Sequence, residues 1–221
     1  MKFDNATLQI LKNYSTINHA ILFQPGNVIS TISSSKTVMA KATIEQTIPS
    51  SFAIYELSKF LATLSLFNDP DLKIEENRVV ISEGKRKINY TFCDPSTIVV
   101  PPSKEIKFPE AEISFHLKAD ELTELTKALS VLSLPEVAIT SDGENIFVTA
   151  VDSKNPSADN YSVQVGENPD NTTFNMIIKA DYLRLIPSDY EVAISSKGLS
   201  HFKSNNIEYW IAVESTSSYG D

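Results

Sequence analysis

The residue types that most often carry chemistry are few in this chain and widely spaced. His19, His116 and His201 each lie in or beside a predicted strand, with no second ligand at metal-binding spacing. Cys93 is the only cysteine, which excludes an internal disulfide and a thiolate metal cluster. The six glycines form neither a glycine-rich phosphate loop nor a Gly-x-Ser-x-Gly turn. The sequence therefore predicts a protein that is not an enzyme and that holds no metal or other cofactor.

An acidic turn in the first half of the chain is the strongest candidate for a cation site. Asp69, Asp71, Glu75 and Glu76 follow one another closely there, beside a proline. Such residues more often form a solvated turn, and that is the role we expect. Packing is likewise the expected role of Cys93, because no basic neighbour in the sequence would activate its thiol.

The length and composition are those of an ordinary globular protein. The chain has 221 residues, 42% hydrophobic and 21% charged, so two domains of roughly 100 to 110 residues are expected. No apolar run approaches the roughly 18 residues of a membrane helix, and no signal peptide opens the sequence, so we expect an intracellular protein. The formal net charge is -9, yet residues 1–108 carry 12 basic against 10 acidic side chains, and residues 109–221 carry 7 against 18. The two halves therefore differ in the sign of their charge.

The elements that must position these side chains repeat along the chain. A short helix associated with strands is predicted four times, and the helices are expected to start near Asn5, Ser58, Asp120 and Asp181. The pattern recurs after roughly 115 to 122 residues, which indicates two similar domains.

Tight turns separate the predicted strands. Residues 19–24 and 28–33 alternate in hydrophobicity about Pro25–Asn27, as the two strands of a hairpin would. Residues 137–140 and 146–151 do the same about a second turn. The two segments are therefore expected to correspond.

A proline-rich connector marks the expected domain boundary. Residues 94–109 contain four prolines, a composition that resists both helix and central strand. We therefore expect an N-terminal domain at 1–108, which includes the connector 94–108, and a C-terminal domain at 109–221. Residues 215–221 are mostly small and polar and are expected to form a mobile tail.

Each predicted helix carries one basic residue opposite its apolar face. A projection at about 100° per residue places Lys12, Lys59, Lys127 and Arg184 there. Any solvated helix face can carry a lysine, so one helix alone would favour an ordinary surface. Recurrence in four helices suggests a cationic layer that attracts phosphates without reading base sequence. Glu124 is an exception, because it adds an acid to this layer where the helix dipole does not explain it.

Several stretches, together with the repeated helix and hairpin pattern, closely resemble the sliding clamps of T-even-type bacteriophages. The similarity spans nearly the whole chain and is clearest in Ile10–Asn18, in Ala53–Leu57 with Leu64–Leu66, and in Asp94–Val99. The resemblance implies an α+β DNA clamp fold of two similar clamp-type domains, each with antiparallel sheets on the outside and two short helices on the inner face. It also implies a head-to-tail homotrimeric ring around duplex DNA, related in architecture to proliferating cell nuclear antigen.

The resemblance assigns roles to particular residues. Lys12, Lys59, Lys127 and Arg184 would face DNA. The residues expected to border a groove for polymerase and clamp-loader peptides are Val99, Val100, Phe108, Ala212 and Val213.

The resemblance also implies that Lys87–Phe92, an edge strand of the first domain, pairs with Tyr161–Val165 of the next subunit. The expected interface residues are Lys85, Arg86, Lys87, Tyr90, Tyr161, Val163 and Val165. Basic residues flank the first strand, and acids flank the second, so opposite charges would guide closure. These acids are Asp152, Asp159, Glu167 and Asp170. Ordinary protection of exposed strand edges by charge explains the same pattern equally well.

The function implied is that of a DNA polymerase processivity factor, which encircles duplex DNA without sequence preference and tethers a replicative polymerase. A clamp loader and late transcription factors are further implied partners, and the cytoplasm of an infected bacterial host is the implied location. From the residues alone, a β-rich phage structural or assembly protein stays open, since it would also lack a catalytic set. A carbohydrate-binding β-module is weaker, because the single tryptophan, Trp210, lies in an alternating strand.

Overall fold

The computed structural model describes residues 1–104 and 106–220. The chain divides into two compact units, Met1–Lys104 and Glu105–Asp221, whereas the boundary expected from the sequence lies a few residues further along the connector. Among the helices in the described residues, none combines the length and the apolar character needed to span a membrane.

The first unit contains two α-helices, α1 (Asn5–Ile17) and α2 (Leu57–Leu64). A 3₁₀ turn at Pro95–Thr97 starts the connector. The strands described in this unit are β1 (Ile21–Phe23), β2 (Gly26–Ile32), β3 (Val38–Ile48), β4 (Phe52–Ile54), β5 (Asp71–Ile74), β6 (Arg78–Glu83) and β7 (Arg86–Thr91).

The second unit contains the helix α3 (Ala119–Val131) and a 3₁₀ turn at Ala180–Tyr182. The strands described in it are β8 (Ile113–Leu117), β9 (Glu136–Ser141), β10 (Asn145–Val151), β11 (Tyr161–Glu167), β12 (Phe174–Lys179), β13 (Tyr190–Ser195), β14 (Leu199–Lys203), β15 (Ile207–Ala212) and β16 (Ser218–Tyr219).

Neighbouring strands within each unit pair antiparallel. In the first unit, β5, β6 and β7 form one sheet in that order, with β7 at an edge. In the second unit, β11, β10, β9, β12 and β16 form one sheet in that order, with β11 at an edge. β8, β13, β14 and β15 lie side by side in a further sheet. The α+β class with antiparallel sheets, which the sequence predicts, is confirmed.

Several strand pairings recur in the two units. β4 pairs with β1 in the first unit, and β12 pairs with β9 in the second. β8 pairs with β13, and the main chain of Met1 exchanges hydrogen bonds of 2.8 and 2.7 Å with Leu72 of β5 in the equivalent place. The second unit therefore repeats part of the arrangement of strands found in the first.

One predicted hairpin is wrong. β9 and β10 pair directly, as expected, but β1 pairs with β4, and β2 pairs with β3. Gly26 has a φ of +117°, a conformation that glycine alone adopts readily, and the β2 register is irregular between Gly26 and Val28. β2 therefore begins inside the predicted turn, and Gln24 and Pro25 carry the chain from one sheet to another.

The fourth predicted helix is also wrong, because it shortens to the 3₁₀ turn at Ala180–Tyr182. Pro187 disfavours a helical conformation at Ile186, and the Ile186 backbone is held by two buried side chains instead. Its N–H donates to Tyr209 Oη at 3.3 Å, and its carbonyl accepts from Tyr190 Oη at 2.6 Å. Burial raises the pKa of both tyrosines, so the hydroxyls stay protonated. Leu183 is the buried side chain in this segment, in place of the predicted apolar face.

The other helices start within one residue of their predicted positions. Asp4 caps α1, and its Oδ1 accepts from the Thr7 N–H at 2.7 Å. That bond holds the pKa of Asp4 below its ordinary value. In α3, Glu121 Oε2 accepts from the Lys118 N–H at 2.9 Å, so the sequence in the first turn accounts for the helix start.

The expected mobile tail is packed against the second unit. β16 pairs with β12, and the Tyr219 ring stacks on Phe174 with centroids 6.2 Å apart. Ser217 Oγ accepts from the Ile177 N–H at 2.8 Å. The segment thus satisfies backbone groups along β12 that would otherwise lie at a sheet edge. Asp221, the last residue of the predicted tail, lies outside the described residues.

Candidate nucleic-acid and subunit interfaces

Three of the predicted DNA-facing residues project from helices. Lys12 on α1, Lys59 on α2 and Lys127 on α3 are exposed. The opposite faces are buried, through Ile10, Leu11 and Tyr14 in α1, Leu57, Phe60, Leu61 and Leu64 in α2, and Leu122, Leu125 and Leu129 in α3. Within residues 1–104 and 106–220, neither Lys12 nor Lys127 forms an ion pair. Their ammonium groups can therefore meet an external anion.

Lys59 differs, because its charge is already compensated. Its Nζ lies 3.1 Å from Glu56 Oε2, and this contact raises the pKa of Lys59 above its ordinary value. Both side chains are exposed, so the pair is screened by solvent and can exchange for a phosphate.

Arg184 is exposed as predicted, although its helix is absent. Its Nη2 lies 3.2 Å from Asp181 Oδ1, and its Nε donates to the Asp181 carbonyl at 3.1 Å. The guanidinium is therefore bound to the 3₁₀ turn, which replaces the predicted helix face as the element that positions it.

Glu124, the acid that did not fit the cationic layer, has a specific partner. Tyr161 Oη donates to Glu124 Oε2 at 2.8 Å, and this bond raises the pKa of the Tyr161 hydroxyl. This hydrogen bond joins β11, through the Tyr161 side chain, to α3. Sequence reasoning could not find this contact, because the two residues lie far apart in the chain.

β7, the first predicted interface strand, presents its basic residues unequally. Lys85 and Lys87 are exposed. Arg86 forms an ion pair with Glu83, donates to the Leu66 carbonyl at 3.1 Å and lies 5.2 Å from the centre of the Phe67 ring. Arg86 is exposed as well but contacts its own unit, whereas Lys85 and Lys87 form no ion pair with any described side chain.

The inner face of β7 is held by Tyr90. Its ring meets Phe60 edge to face at 5.2 Å, and its hydroxyl donates to the Glu56 carbonyl at 3.3 Å. Burial raises the pKa of Tyr90. The strand is thus anchored to α2 on one side, and its outer edge is unpaired among the described strands.

β11, the second predicted interface strand, has a similar arrangement. Tyr161, Val163 and Val165 are half-buried, whereas Ser162 and Gln164 between them are exposed. Of the predicted acidic flank, Asp159, Glu167 and Asp170 are exposed and Asp152 is half-buried. The exposed acids can therefore contribute a negative field near this edge.

The predicted groove residues are divided between the two units. Val99 and Val100 belong to the first and are 39% and 38% exposed. Phe108, Ala212 and Val213 belong to the second and are half-buried. Phe108 packs on His201 at 5.6 Å between ring centres.

Several of the residues considered for catalysis or metal binding take part in packing and ion pairs. The described residues contain no group of three potential ligands that could hold a metal ion. Asp69 pairs with Lys2, and Glu75 pairs with Arg78 at 2.8 Å and with Lys73 at 3.2 Å. Burial raises the pKa of the Cys93 thiol, which makes the thiolate less available.

Sequence reasoning missed two exposed apolar side chains that lie at or just after the ends of helices. Val131 is 72% exposed at the end of α3, and Leu66 is 62% exposed just after α2. The Leu66 carbonyl receives the Arg86 bond, so this residue lies beside the start of β7. In the sequence, each continues the apolar composition of the neighbouring core-facing helix, so neither stands out as exposed.

Comparisons with family models and solved structures show which proteins this chain is similar to. A family model described as DNA polymerase processivity factor matches residues 2–100, and a model described as the C-terminal part of the gp45 sliding clamp matches residues 114–215. Among solved structures, PCNA from Thermococcus kodakaraensis has a TM-score of 0.71 at 15% identity, over 97% of this chain and 99% of that chain. A Helicobacter pylori beta clamp bound to a DNA ligase peptide also has a TM-score of 0.71, at 16% identity, over 97% of this chain and 65% of that one.

Curated relatives match at full length. The sliding clamp of Vibrio phage KVP40 is 30% identical over 220 residues, which is 97% of this chain and 99% of the relative. The sliding clamp of Enterobacteria phage T4 is 32% identical over 228 residues, 99% of both chains. These matches do not favour the alternative of a phage structural protein. The chain belongs to the sliding clamp family of DNA polymerase processivity factors.

Proposed function

We propose that three copies of this chain close head to tail into a ring around duplex DNA and act there without catalysis. The observation that carries the proposal is the position of β7 and β11, which both lie at sheet edges with charges of opposite sign nearby. Edge-to-edge addition would continue a sheet from one copy into the next.

The protein would stay on DNA because the ring is closed around the duplex, and not because it binds DNA tightly. The formal net charge of -9 opposes tight binding to phosphates, and Lys12, Lys59, Lys127 and Arg184 offer only a small number of cationic contacts. Contacts of this kind are independent of sequence and weaken as salt rises, which permits movement along the duplex.

Val99, Val100, Phe108, Ala212 and Val213 are the residues proposed to receive partner peptides. The exposure of both valines supports this assignment, because apolar side chains exposed in a free protein often mark contact surfaces. The beta clamp that binds a DNA ligase peptide gives a structural precedent for peptide partners. The proposed partners are a replicative polymerase, a clamp loader and late transcription factors. The proposed location is the cytoplasm of an infected bacterium.

The decisive experiment compares circular with linearised DNA. The protein is loaded onto nicked circular duplex by its clamp loader and isolated by gel filtration, and one half of the sample is then cut with a restriction enzyme. A closed ring stays on the circle and slides off after the cut. Equal retention on both forms would contradict topological binding, and a polymerase extension assay on the same DNA tests tethering.

A further inference from the structure

Two glutamates precede a proposed DNA-facing lysine by one helical turn. Glu56 precedes Lys59, and Glu124 precedes Lys127, both at a spacing that allows the side chains to pair. In the first unit the pair forms, with Lys59 Nζ 3.1 Å from Glu56 Oε2. In the second, Glu124 accepts the Tyr161 hydroxyl at 2.8 Å, and Lys127 forms no ion pair with any described side chain.

The two glutamates differ in which of their oxygens accepts a hydrogen bond from a tyrosine hydroxyl. Tyr90, on β7, donates to the main-chain carbonyl of Glu56 and leaves the carboxylate to Lys59. Tyr161, on β11, donates to the carboxylate of Glu124 itself. In α3 the Tyr161 hydroxyl therefore binds the carboxylate that, at the equivalent place beside α2, binds the lysine.

We propose that Tyr161 is a positioning residue for DNA contact: by holding the Glu124 carboxylate, it leaves the Lys127 ammonium unpaired for a DNA phosphate. The inference rests on the proposed placement of Lys127 against DNA. Without the hydroxyl, Glu124 can turn to Lys127 as Glu56 turns to Lys59, and the helix then offers less positive charge.

The test uses the assembled protein and a short linear duplex that a ring can enter from its ends. Binding is followed by fluorescence anisotropy across a range of salt concentrations for the native protein, Y161F, E124Q, Y161F/E124Q and K127A. Sedimentation and circular dichroism establish that each variant keeps its assembly state and fold.

We expect Y161F to weaken binding several-fold at low salt and to reduce the slope of log affinity against log salt by about 0.9 for each DNA phosphate that is no longer neutralised. K127A should behave in the same way. Y161F/E124Q should bind like E124Q, because no carboxylate remains to neutralise Lys127. That rescue distinguishes a positioning role from a structural one. If Tyr161 only stabilised the fold, adding E124Q would not restore DNA binding.

Three outcomes would overturn the inference. The first is native binding by Y161F while K127A is impaired, which refutes the role of Tyr161 and leaves the placement of Lys127 intact. The second is weakened DNA binding by Y161F that E124Q does not restore. That result would mean that Tyr161 acts by stabilising the fold. The third is native binding by K127A, which removes Lys127 from the DNA contact and defeats both this inference and that part of the proposed function.

Discussion

The side-chain nitrogen of Asn18 donates to the carbonyl oxygen of Val99 at 3.2 Å and so ties the connector to the end of α1. The same nitrogen donates to the Ile32 carbonyl at 2.8 Å, and Asn18 Oδ1 accepts from the Ala20 N–H at 3.0 Å. Asn18 is 6% exposed. One buried amide therefore joins three segments of the first unit and fixes the point from which the connector departs.

Replacing this amide should destabilise the first unit. Asn18→Ala leaves the Ile32 carbonyl and the Ala20 N–H without their partner, at about 1–3 kcal/mol for each buried group left unsatisfied. Urea denaturation should show the loss, and hydrogen exchange around Val99 should accelerate. Asn27→Ala, at an exposed asparagine of β2, is the matched control and should change little. Equal stability of the two variants would contradict this role for Asn18.

Charge reversal on β7 should weaken assembly. Lys85→Glu with Lys87→Glu tests the proposed interface while sparing Arg86, whose contacts lie within its own unit. Exposed charge pairs contribute about 0–1 kcal/mol each, so we expect several-fold weaker association, most marked at low salt. Equilibrium sedimentation measures the effect, with Lys36→Glu as a control far from β7 in the sequence. Trimer stability equal to that of the control would argue against an electrostatic contact here.

The C-terminal segment should contribute to the stability of the second unit. Ser217→Ala removes the acceptor of the Ile177 N–H, and we expect a loss of about 0.5–1.5 kcal/mol. Faster proteolysis of residues 214–220 should accompany it. Ser215→Ala is the control, because Ser215 is exposed. A tail that is cleaved equally fast in the native protein would contradict the docking of β16.

His201 should make stability depend on pH. Its ring stacks on Trp210 at 4.8 Å and its Nε2 lies 3.0 Å from Glu208 Oε2, but burial dominates and lowers the pKa of His201 below its ordinary 6.5. Lys203 lowers it further.

The unfolded chain therefore binds a proton at a higher pH than the folded chain does. Stability contributed by neutral His201 is present above 6.5 and is lost as pH falls through 6.5 toward the lower folded value. Urea midpoints measured across that window should fall for the native protein and fall less for His201→Gln. His116→Gln, at an exposed histidine, serves as control. Identical pH slopes for the native protein and His201→Gln would refute the assignment.

Helical periodicity was sufficient to place three of the four cationic residues. The apolar rows of α1, α2 and α3 are local features, so the direction of Lys12, Lys59 and Lys127 follows from spacing alone. Turn residues likewise predicted the β9–β10 hairpin. The positions of β7 and β11 at sheet edges agree with the strands that family resemblance selected for the interface.

The features that sequence could not predict depend on contacts between distant residues. The segment after Asp181 has an apolar helical pattern, but Tyr209, which is distant in sequence, binds the Ile186 N–H, and Pro187 disfavours continuation of the helix. The polar tail resembles a mobile terminus, yet Ser217 finds a backbone partner in Ile177. In both segments a hydrogen bond to a residue distant in sequence accompanies the observed conformation.

The difference between β7 and β11 has a geometric consequence for association. Because each contact would join two unlike edges, every added copy exposes another β11 or another β7, and addition has no intrinsic end point. Only the rotation between successive copies determines whether the last edge meets the first or the chain of copies grows into a helical filament. A substitution that alters this angle and leaves both edges intact would be expected to produce fibres.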